Sequence, residues 1–184
     1  SAALDSAGIQ HLMEEFGLHA ESRPVVAPAR AAADRARVMG KGNDGIFCGA
    51  AIELPDGTVV TGSNSTLMHA SAALVLNAAK RLAGLPSETD LLPGTVIQAL
   101  GHLKTEVLGG RRVSLDAEEA LIALAVSATS STAAAAAVAR LRDLRGCEVH
   151  LTHMPTPGDE AGLRKLGVGL TSEPSFATKQ LFVS

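Results

Sequence analysis

Apolar residues at positions 45–82 follow two periods in turn, and these predict a β-hairpin followed by a long helix. Positions 46–54 and 58–61 are rich in Ile and Val, and Pro55-Asp56-Gly57 between them has the composition of a tight turn. From Met68 to Leu82 the apolar residues recur at alternating steps of four and three, which is the period of an α-helix. Few polar residues interrupt this segment, so we expect the helix to be buried on most sides.

The same periodicities predict further elements on both sides of this unit. Helices are expected at 3–16, 29–39, 94–108, 115–127, 133–145 and 159–166, and short strands at 147–153, 168–171 and 180–183. Strands joined by helical crossovers predict an α/β fold, a mixed sheet covered by helices on both faces, with an N-terminal helical segment. Three glycines within 40–45 predict a flexible connection. We therefore expect an N-terminal helical segment and Gly-rich linker at 1–44 and an α/β domain at 45–184.

Composition and charge exclude several function classes. The 184 residues are 46% hydrophobic and 19% charged, which is typical of a globular protein. A net charge of -3, with four Phe and neither Trp nor Tyr, argues against binding to nucleic acid. No apolar run reaches about 18 residues and no basic leader precedes one, so we expect a cytoplasmic protein that does not span a membrane. Cys48 and Cys147 are far apart and lack a C-x-x-C partner, and we expect both to be reduced core thiols.

Three long segments resemble a known family. They are GAAIELPDGTVVTGSNSTLMHASAALVLNAAKRLAG, SLDAEEALIALAVSAT and LRGCEVHLTHMPTPGDEAGLRKLGVGLTSEP. Together they are similar to the carboxy-terminal region of the bacterial family called domain of unknown function 1846. The resemblance implies a longer protein in which a larger α/β portion precedes this region. It implies no catalytic residue.

A second resemblance is topological and concerns the cytidine deaminase fold. Gly49-Ala50-Ala51, a hairpin, Gly62-Ser63-Asn64 and then a helix are similar to the opening of that fold, which implies a deaminase-like three-layer arrangement. A zinc deaminase needs a His or Cys followed two residues later by Glu at the helix start, and P-C-x-x-C at a later helix start. Here the first position reads His69-Ala70-Ser71, and the later turn, at 154–158, has no cysteine. We therefore expect neither a metal nor another cofactor.

Two predicted strand-to-helix junctions carry the candidate site. Ligands of open α/β sheets collect where strands end and helix amino termini meet, and the free N–H groups there favour a phosphate or a carboxylate. The expected ligand-binding residues are Ser63, Asn64, Ser65, Thr66, Thr156 and Gly158, and the candidate catalytic residues are His69, His153 and Asp159.

Simpler interpretations of the same residues stay open. Ser65 or Thr66 could cap the long helix and Asp159 the later one, while Ser114 has the position of a cap for the helix at 115–127. His69 could be a hydrogen-bonded structural histidine rather than an acid, base or ligand contact. Arg111-Arg112 could clamp an anion or belong to a solvated loop.

Two function classes follow. The first is an enzyme or enzyme domain that acts without zinc on a small anionic metabolite, such as a nucleotide or sugar phosphate. The second is a non-catalytic module with a deaminase-like fold that serves assembly or regulation. In either case we expect the chain to form a homo-oligomer or to pack against the preceding part of a longer chain.

Overall fold

A four-stranded mixed sheet organises the computed structural model, which describes residues 16–17 and 22–177. The strands are β1 (Gly49–Glu53), β2 (Val59–Ser63), β3 (Glu148–Leu151) and β4 (Gly169–Ser172), in the order β2-β1-β3-β4. β1 is antiparallel to both of its neighbours, and β3 and β4 are parallel. The predicted hairpin is thus confirmed as β1 and β2.

Six α-helices surround the sheet in the described part of the chain. They are α1 (Val26–Val38), α2 (Ala70–Leu82), α3 (Gly94–His102), α4 (Ala117–Ser127), α5 (Thr132–Arg140) and α6 (Pro157–Leu166). α3 continues as a π-helical turn, Leu103–Val107, and α5 as a 3-10 turn, Leu141–Leu144. None of the helices within these described residues is long and apolar enough to cross a membrane.

Alternate residues of β1 contact the helices on opposite faces of the sheet, because successive side chains of a strand point to opposite faces. Ala51 packs against Ala29 of α1 and against Val25, the N-cap residue of that helix. Ile52 faces the other way into the main core, which contains Leu74 of α2 and Leu163 of α6. The predicted α/β fold with helices on both faces of a mixed sheet is therefore confirmed. Its likeness to cytidine deaminases stays a prediction.

α1 approaches β1 closely, and a glycine makes this possible. A Cβ atom on Gly49 would lie 2.0 Å from the carbonyl oxygen of Ala29 and 2.7 Å from the backbone nitrogen of Ala33. Residues 22–44, which the predicted boundary assigns to a separate segment, thus include a helix packed directly on the sheet. The boundary itself stays a prediction.

A second apolar cluster lies between α2 and the helices that follow it. Leu76 contacts this cluster from α2, and Leu124 and Ala137 come from α4 and α5. Small residues allow these helices to pack closely, which explains the alanine tract of α5.

The helix starts differ from several predictions. α2 begins at Ala70, and His69 occupies its N-cap position without a side-chain capping bond, so the proposed caps Ser65 and Thr66 are wrong. α4 is capped by Asp116 rather than Ser114, in a reciprocal capping box with Glu119. The predicted helix at 3–16, apart from its last residue, and the strand at 180–183 lie outside the described residues.

Candidate active site

A cavity of about 300 Å³ opens beside the starts of α2 and α6. We call it the site cavity. Its polar and ionisable lining residues come from four connections and from the first turns of α2 and α6. They are Asn43, Asp44, Cys48, Asn64, Ser65, His69, Ser71, Arg112, Ser114, His153, Thr156 and Asp159. The volume is at the lower end of the range for small-molecule sites, so it suits a small metabolite rather than a dinucleotide.

A buried carboxylate and a histidine form the centre of this cavity. Asp159 is 4% exposed, and its Oδ2 lies 2.7 Å from Nδ1 of His69. The two residues are far apart in sequence and meet because the starts of α2 and α6 converge. Both are candidate catalytic residues of the sequence analysis.

Both carboxylate oxygens of Asp159 accept hydrogen bonds, five in all among the described residues. Oδ1 accepts from the hydroxyl of Ser71 and from the backbone N–H of Ala117, at 2.9 Å for the latter. Oδ2 accepts from His69 and from both the hydroxyl and the N–H of Thr156, at 2.8 and 3.3 Å. The carboxylate therefore lies where the amino termini of α2, α4 and α6 meet, and each helix dipole favours its negative charge.

These donors decide the ionisation of Asp159. Burial alone raises the pKa of a carboxyl group, but the hydrogen bonds from His69, Ser71 and Thr156 and the proximity of the imidazole together lower the pKa of Asp159 below its ordinary value. The group is consequently a carboxylate at neutral pH, although it is almost inaccessible to water.

The carboxylate also fixes the tautomer of His69. Because a carboxylate only accepts hydrogen bonds, the Nδ1 of His69 carries a proton and donates it to Asp159. Nε2 has no hydrogen-bond partner among the described residues, and no unpartnered side-chain nitrogen is buried there. The side chain is 23% exposed and lines the site cavity, so Nε2 is open to a ligand.

The start of α2 offers further donors. No side chain caps this helix and no acidic residue lies in its first turn. The N–H groups of Ala70, Ser71 and Ala72 have no acceptor among the described residues, whereas the next, of Ala73, bonds to the carbonyl of His69. Ala70 and Ser71 line the site cavity. Free N–H groups at the positive end of a helix dipole favour an anion.

Cys48 and Arg112 also line the site cavity. Burial, with the nearby charge of Asp159, raises the pKa of the Cys48 thiol to about 12, while the Arg112 guanidinium acts in the opposite direction. The thiol is therefore protonated at neutral pH. Cys48 and Cys147 are both free and buried.

Six of the nine predicted site residues line this cavity: Asn64, Ser65, His69, His153, Thr156 and Asp159. Ser63, Thr66 and Gly158 are not among its lining residues. Ser63 ends β2, Thr66 is exposed, and Gly158 packs so closely on Asp116 that a Cβ would lie 2.0 Å from its carboxylate.

Several of the lining residues have structural roles. The side chain of Asn64 accepts from the N–H of Cys48 and donates to the carbonyl of Ile46, so it holds the loop that precedes β1. The Ser65 hydroxyl accepts from two backbone N–H groups of its own turn, at 3.2 and 3.3 Å. His153 bonds to the hydroxyl of Thr152, and burial lowers its pKa, so its neutral form is favoured. Thr156 is the N-cap of α6, with Asp159 as its capping-box partner.

Sequence reasoning missed Ser71, Ser114 and the N–H of Ala117 as parts of this site. No local pattern identifies them, because Ala117 and Asp159 are 42 residues apart and Ser71 and Asp159 are 88 apart. The sequence leaves open whether Arg112 clamps an anion or belongs to a solvated loop, and the structure places it on the cavity wall. Among the described residues, no group of three His, Cys, Asp or Glu side chains is arranged to hold a metal ion.

Comparison with known proteins adds a family context. Residues 21–182 match the family described as domain of unknown function DUF1846, C-terminal. The chain is similar to UPF0371 proteins: it is 38% identical to one of Clostridium botulinum (strain 657 / Type Ba4) over 93% of this chain. It is 38% identical over 94% of its length to one of Clostridioides difficile (strain 630), and 43% identical over 96% to one of Corynebacterium glutamicum (strain R). In each case it spans 34% of the relative's length, about a third.

Proposed function

This chain belongs to the DUF1846 family, as a C-terminal domain, and we propose that it supplies the acid–base site of an enzyme that acts on a small anionic metabolite. The observation that carries this proposal is the His69–Asp159 pair, in which Nδ1 is held by a buried carboxylate while Nε2 is open to the site cavity. A histidine oriented in this way is suited to take a proton at one atom and return it from the same atom.

The two members of the pair have different roles. His69 Nε2 accepts a proton from the substrate, or from a water molecule that attacks it, and the ring becomes positively charged. Asp159 stabilises that imidazolium and keeps the ring oriented. Because five hydrogen bonds hold the carboxylate, it stays ionised throughout the transfer. Asp159 is thus a positioning residue and His69 the catalytic one.

The state of Cys48 favours acid–base chemistry over attack by a thiolate. A nucleophilic cysteine needs a lowered pKa, whereas burial raises the pKa of the Cys48 thiol to about 12. The thiol then contributes an apolar, protonated wall.

The anionic character of the substrate follows from the cavity wall. Arg112 and the uncapped start of α2 both face the site cavity, and each favours negative charge on a ligand.

The relatives are about three times as long as the part matched here, which supports a longer protein of which this domain is one portion. Exposed apolar residues of the π-helical turn that follows α3, Leu103 and Val107, together with the next residue, Leu108, offer a surface for the remaining portion or for a second copy.

A first test needs no substrate. In an ¹⁵N-labelled sample at alkaline pH, where a histidine ring is neutral, the ring nitrogen shifts of His69 should report a protonated Nδ1 and an unprotonated Nε2. The opposite tautomer would overturn the assigned proton path. The His102 ring, exposed at the end of α3, is the internal reference.

The second test measures turnover on a panel of small phosphorylated and carboxylated metabolites, with this chain and with the full-length protein. His69→Gln should lower kcat about 10²- to 10⁴-fold, the usual contribution of a general acid or base. His102→Gln is the matched control and should leave turnover unchanged. Full activity of folded His69→Gln would refute the proposal.

A further inference from the structure

Ser114 is a buried residue of the site cavity whose hydroxyl has no hydrogen-bond partner among the described residues. Ser114 is 2% exposed, and its side chain makes no hydrogen bond with any described residue. Every inaccessible side-chain oxygen and nitrogen in the described part does have a partner. The hydroxyl oxygen of Ser114 is therefore accessible, and the surface it can reach is the cavity that Ser114 lines. The hydroxyl is thus available to donate to a ligand in the cavity, and a ligand that displaces water from it must accept that hydrogen bond or leave the group unsatisfied.

The backbone holds this hydroxyl next to the start of α2. The N–H of His69 bonds to the carbonyl of Leu115 at 2.8 Å, and the N–H of Leu115 bonds to the carbonyl of Leu67 at 2.9 Å. Residues 114–115 thus run beside residues 67–69 as a short parallel bridge. On the other side, Nζ of Lys104 donates to the carbonyl of Ser114 at 2.5 Å and to Glu119 at 2.7 Å.

Three kinds of donor therefore share one wall. They are the unpartnered N–H groups at the start of α2, the hydroxyl of Ser114, and Arg112 two residues earlier in the same loop. Two acidic residues also line the cavity. Asp159 has all its acceptor positions turned toward protein donors, and Asp44 is exposed. This wall of the site cavity therefore offers three kinds of hydrogen-bond donor, whereas a planar carboxylate has two oxygens to accept from them.

We propose that the start of α2, Ser114 and Arg112 form a subsite for the phosphate group of the substrate, next to Nε2 of His69. A phosphate presents three terminal oxygens in a tetrahedral arrangement and can accept from the helix N–H groups, the hydroxyl and the guanidinium together. This inference rests on the proposed function and narrows its substrate class to phosphorylated metabolites.

The test is a titration with inorganic phosphate, followed by the backbone amide signals of this chain in ¹H–¹⁵N NMR spectra. Phosphate should shift the signals of Ala70, Ser71 and Ala72 with one common dissociation constant, and acetate should bind clearly more weakly. Ser114→Ala should raise the dissociation constant for phosphate about tenfold, as expected for the loss of one hydrogen bond to a charged group. The control, Ser130→Ala, removes an exposed hydroxyl at the end of α4 and should change nothing.

A second variant addresses the helix N–H groups directly. Ala70→Pro removes one N–H at the first position of α2, where proline is well tolerated, and the extended backbone of His69 is compatible with a following proline. This variant should also lower the affinity for phosphate. The Ala70→Pro spectrum shows whether the fold is retained.

The subsite is refuted if these amides do not shift up to about 50 mM phosphate, or if Ser114→Ala and Ser130→Ala bind phosphate equally. Acetate that binds as tightly as phosphate would refute the phosphate assignment. Failure here is separable from failure of the proposed function, because the His69 tautomer is measured without any ligand and the turnover panel also contains carboxylated metabolites. Phosphate that shifts only exposed amides elsewhere is an adventitious ion only and also refutes the subsite.

Discussion

Replacing Asp159 by asparagine changes the charge at the meeting point of three helices without changing its size. The carboxylate accepts from two backbone N–H groups, one at each oxygen, from Ala117 and Thr156. A backbone N–H cannot become an acceptor, so the amide NH₂ of asparagine opposes one of them in either orientation. The hydroxyls and the histidine can reorient, but these two groups cannot.

The expected loss of stability follows from that count. One buried donor left unsatisfied costs about 1–3 kcal/mol, and the hydrogen bonds to a charged acceptor become weaker ones to a neutral amide. We expect Asp159→Asn to lower the free energy of unfolding by about 3 kcal/mol. At about 2–4 °C per kcal/mol for a chain of this size, Tm falls by about 6–12 °C.

The pH dependence gives an independent check. The pKa of Asp159 is lower in the folded state than in the unfolded chain, so the unfolded state binds more protons between the two values. The carboxylate thus contributes stability that is fully present above its ordinary pKa of about 4 and is lost as pH falls through the folded pKa. The difference between wild type and Asp159→Asn should therefore be largest at pH 7 and shrink below about pH 4.

Urea unfolding at pH 7, with circular dichroism as the signal, measures this difference. Glu160→Gln is the matched control, because Glu160 is the next residue of α6 and its side chain pairs, within the described part of the chain, with exposed Arg164. We expect a change below about 0.5 kcal/mol for the control. If Asp159→Asn is as stable as Glu160→Gln, the carboxylate does not hold the three helix starts together and our account of the site is wrong.

Two further predictions concern backbone packing and cysteine chemistry. Gly49→Ala should destabilise the protein by about 3 kcal/mol in urea unfolding, because its Cβ would overlap the backbone of α1. Gly94→Ala, where a Cβ meets nothing within 4 Å, should be neutral or slightly stabilising, and equal stability of the two variants would contradict this packing. Alkylation of Cys48 in the folded protein should be about a thousandfold slower than in urea at pH 8, because its pKa rises from 9.0 to about 12. Mass spectrometry of the labelled peptides measures both rates, and comparable rates would refute the buried, protonated thiol.

Local periodicity was sufficient for most of the fold and insufficient for the helix starts. The period of two in the hairpin and of three to four from Met68 onward places β1, β2 and α2 correctly to within a few residues. The start of α2 was misplaced because residues 63–66 have the composition of a cap. In the structure the side chain of Asn64 is instead bonded to the backbone of Ile46 and Cys48, and the chain continues to His69 before it turns into the helix.

The candidate site could be predicted only in its parts. His69, Thr156 and Asp159 stand out as polar residues at helix starts, so pattern reasoning selects them. Their contact depends on β3 pairing with β1 and on α6 packing beside α4, and these are tertiary events without a local signature. Ser114 has no signature beyond that of an ordinary cap.

The position of Asp159 has a consequence for the order of folding. His69 and Asp159 are 90 residues apart, and closing a loop of that length costs about 4 kcal/mol of chain entropy before any contact forms. Folding of the segments between the two residues offsets this entropy cost. We therefore expect the pair to form only when α2, α4 and α6 are all in place. A chain cut between α4 and α6 lacks Asp159 and therefore the carboxylate that orients the His69 ring. We therefore expect the orientation of His69 to be a late event in folding, whose appearance reports completion of the whole sheet-and-helix assembly.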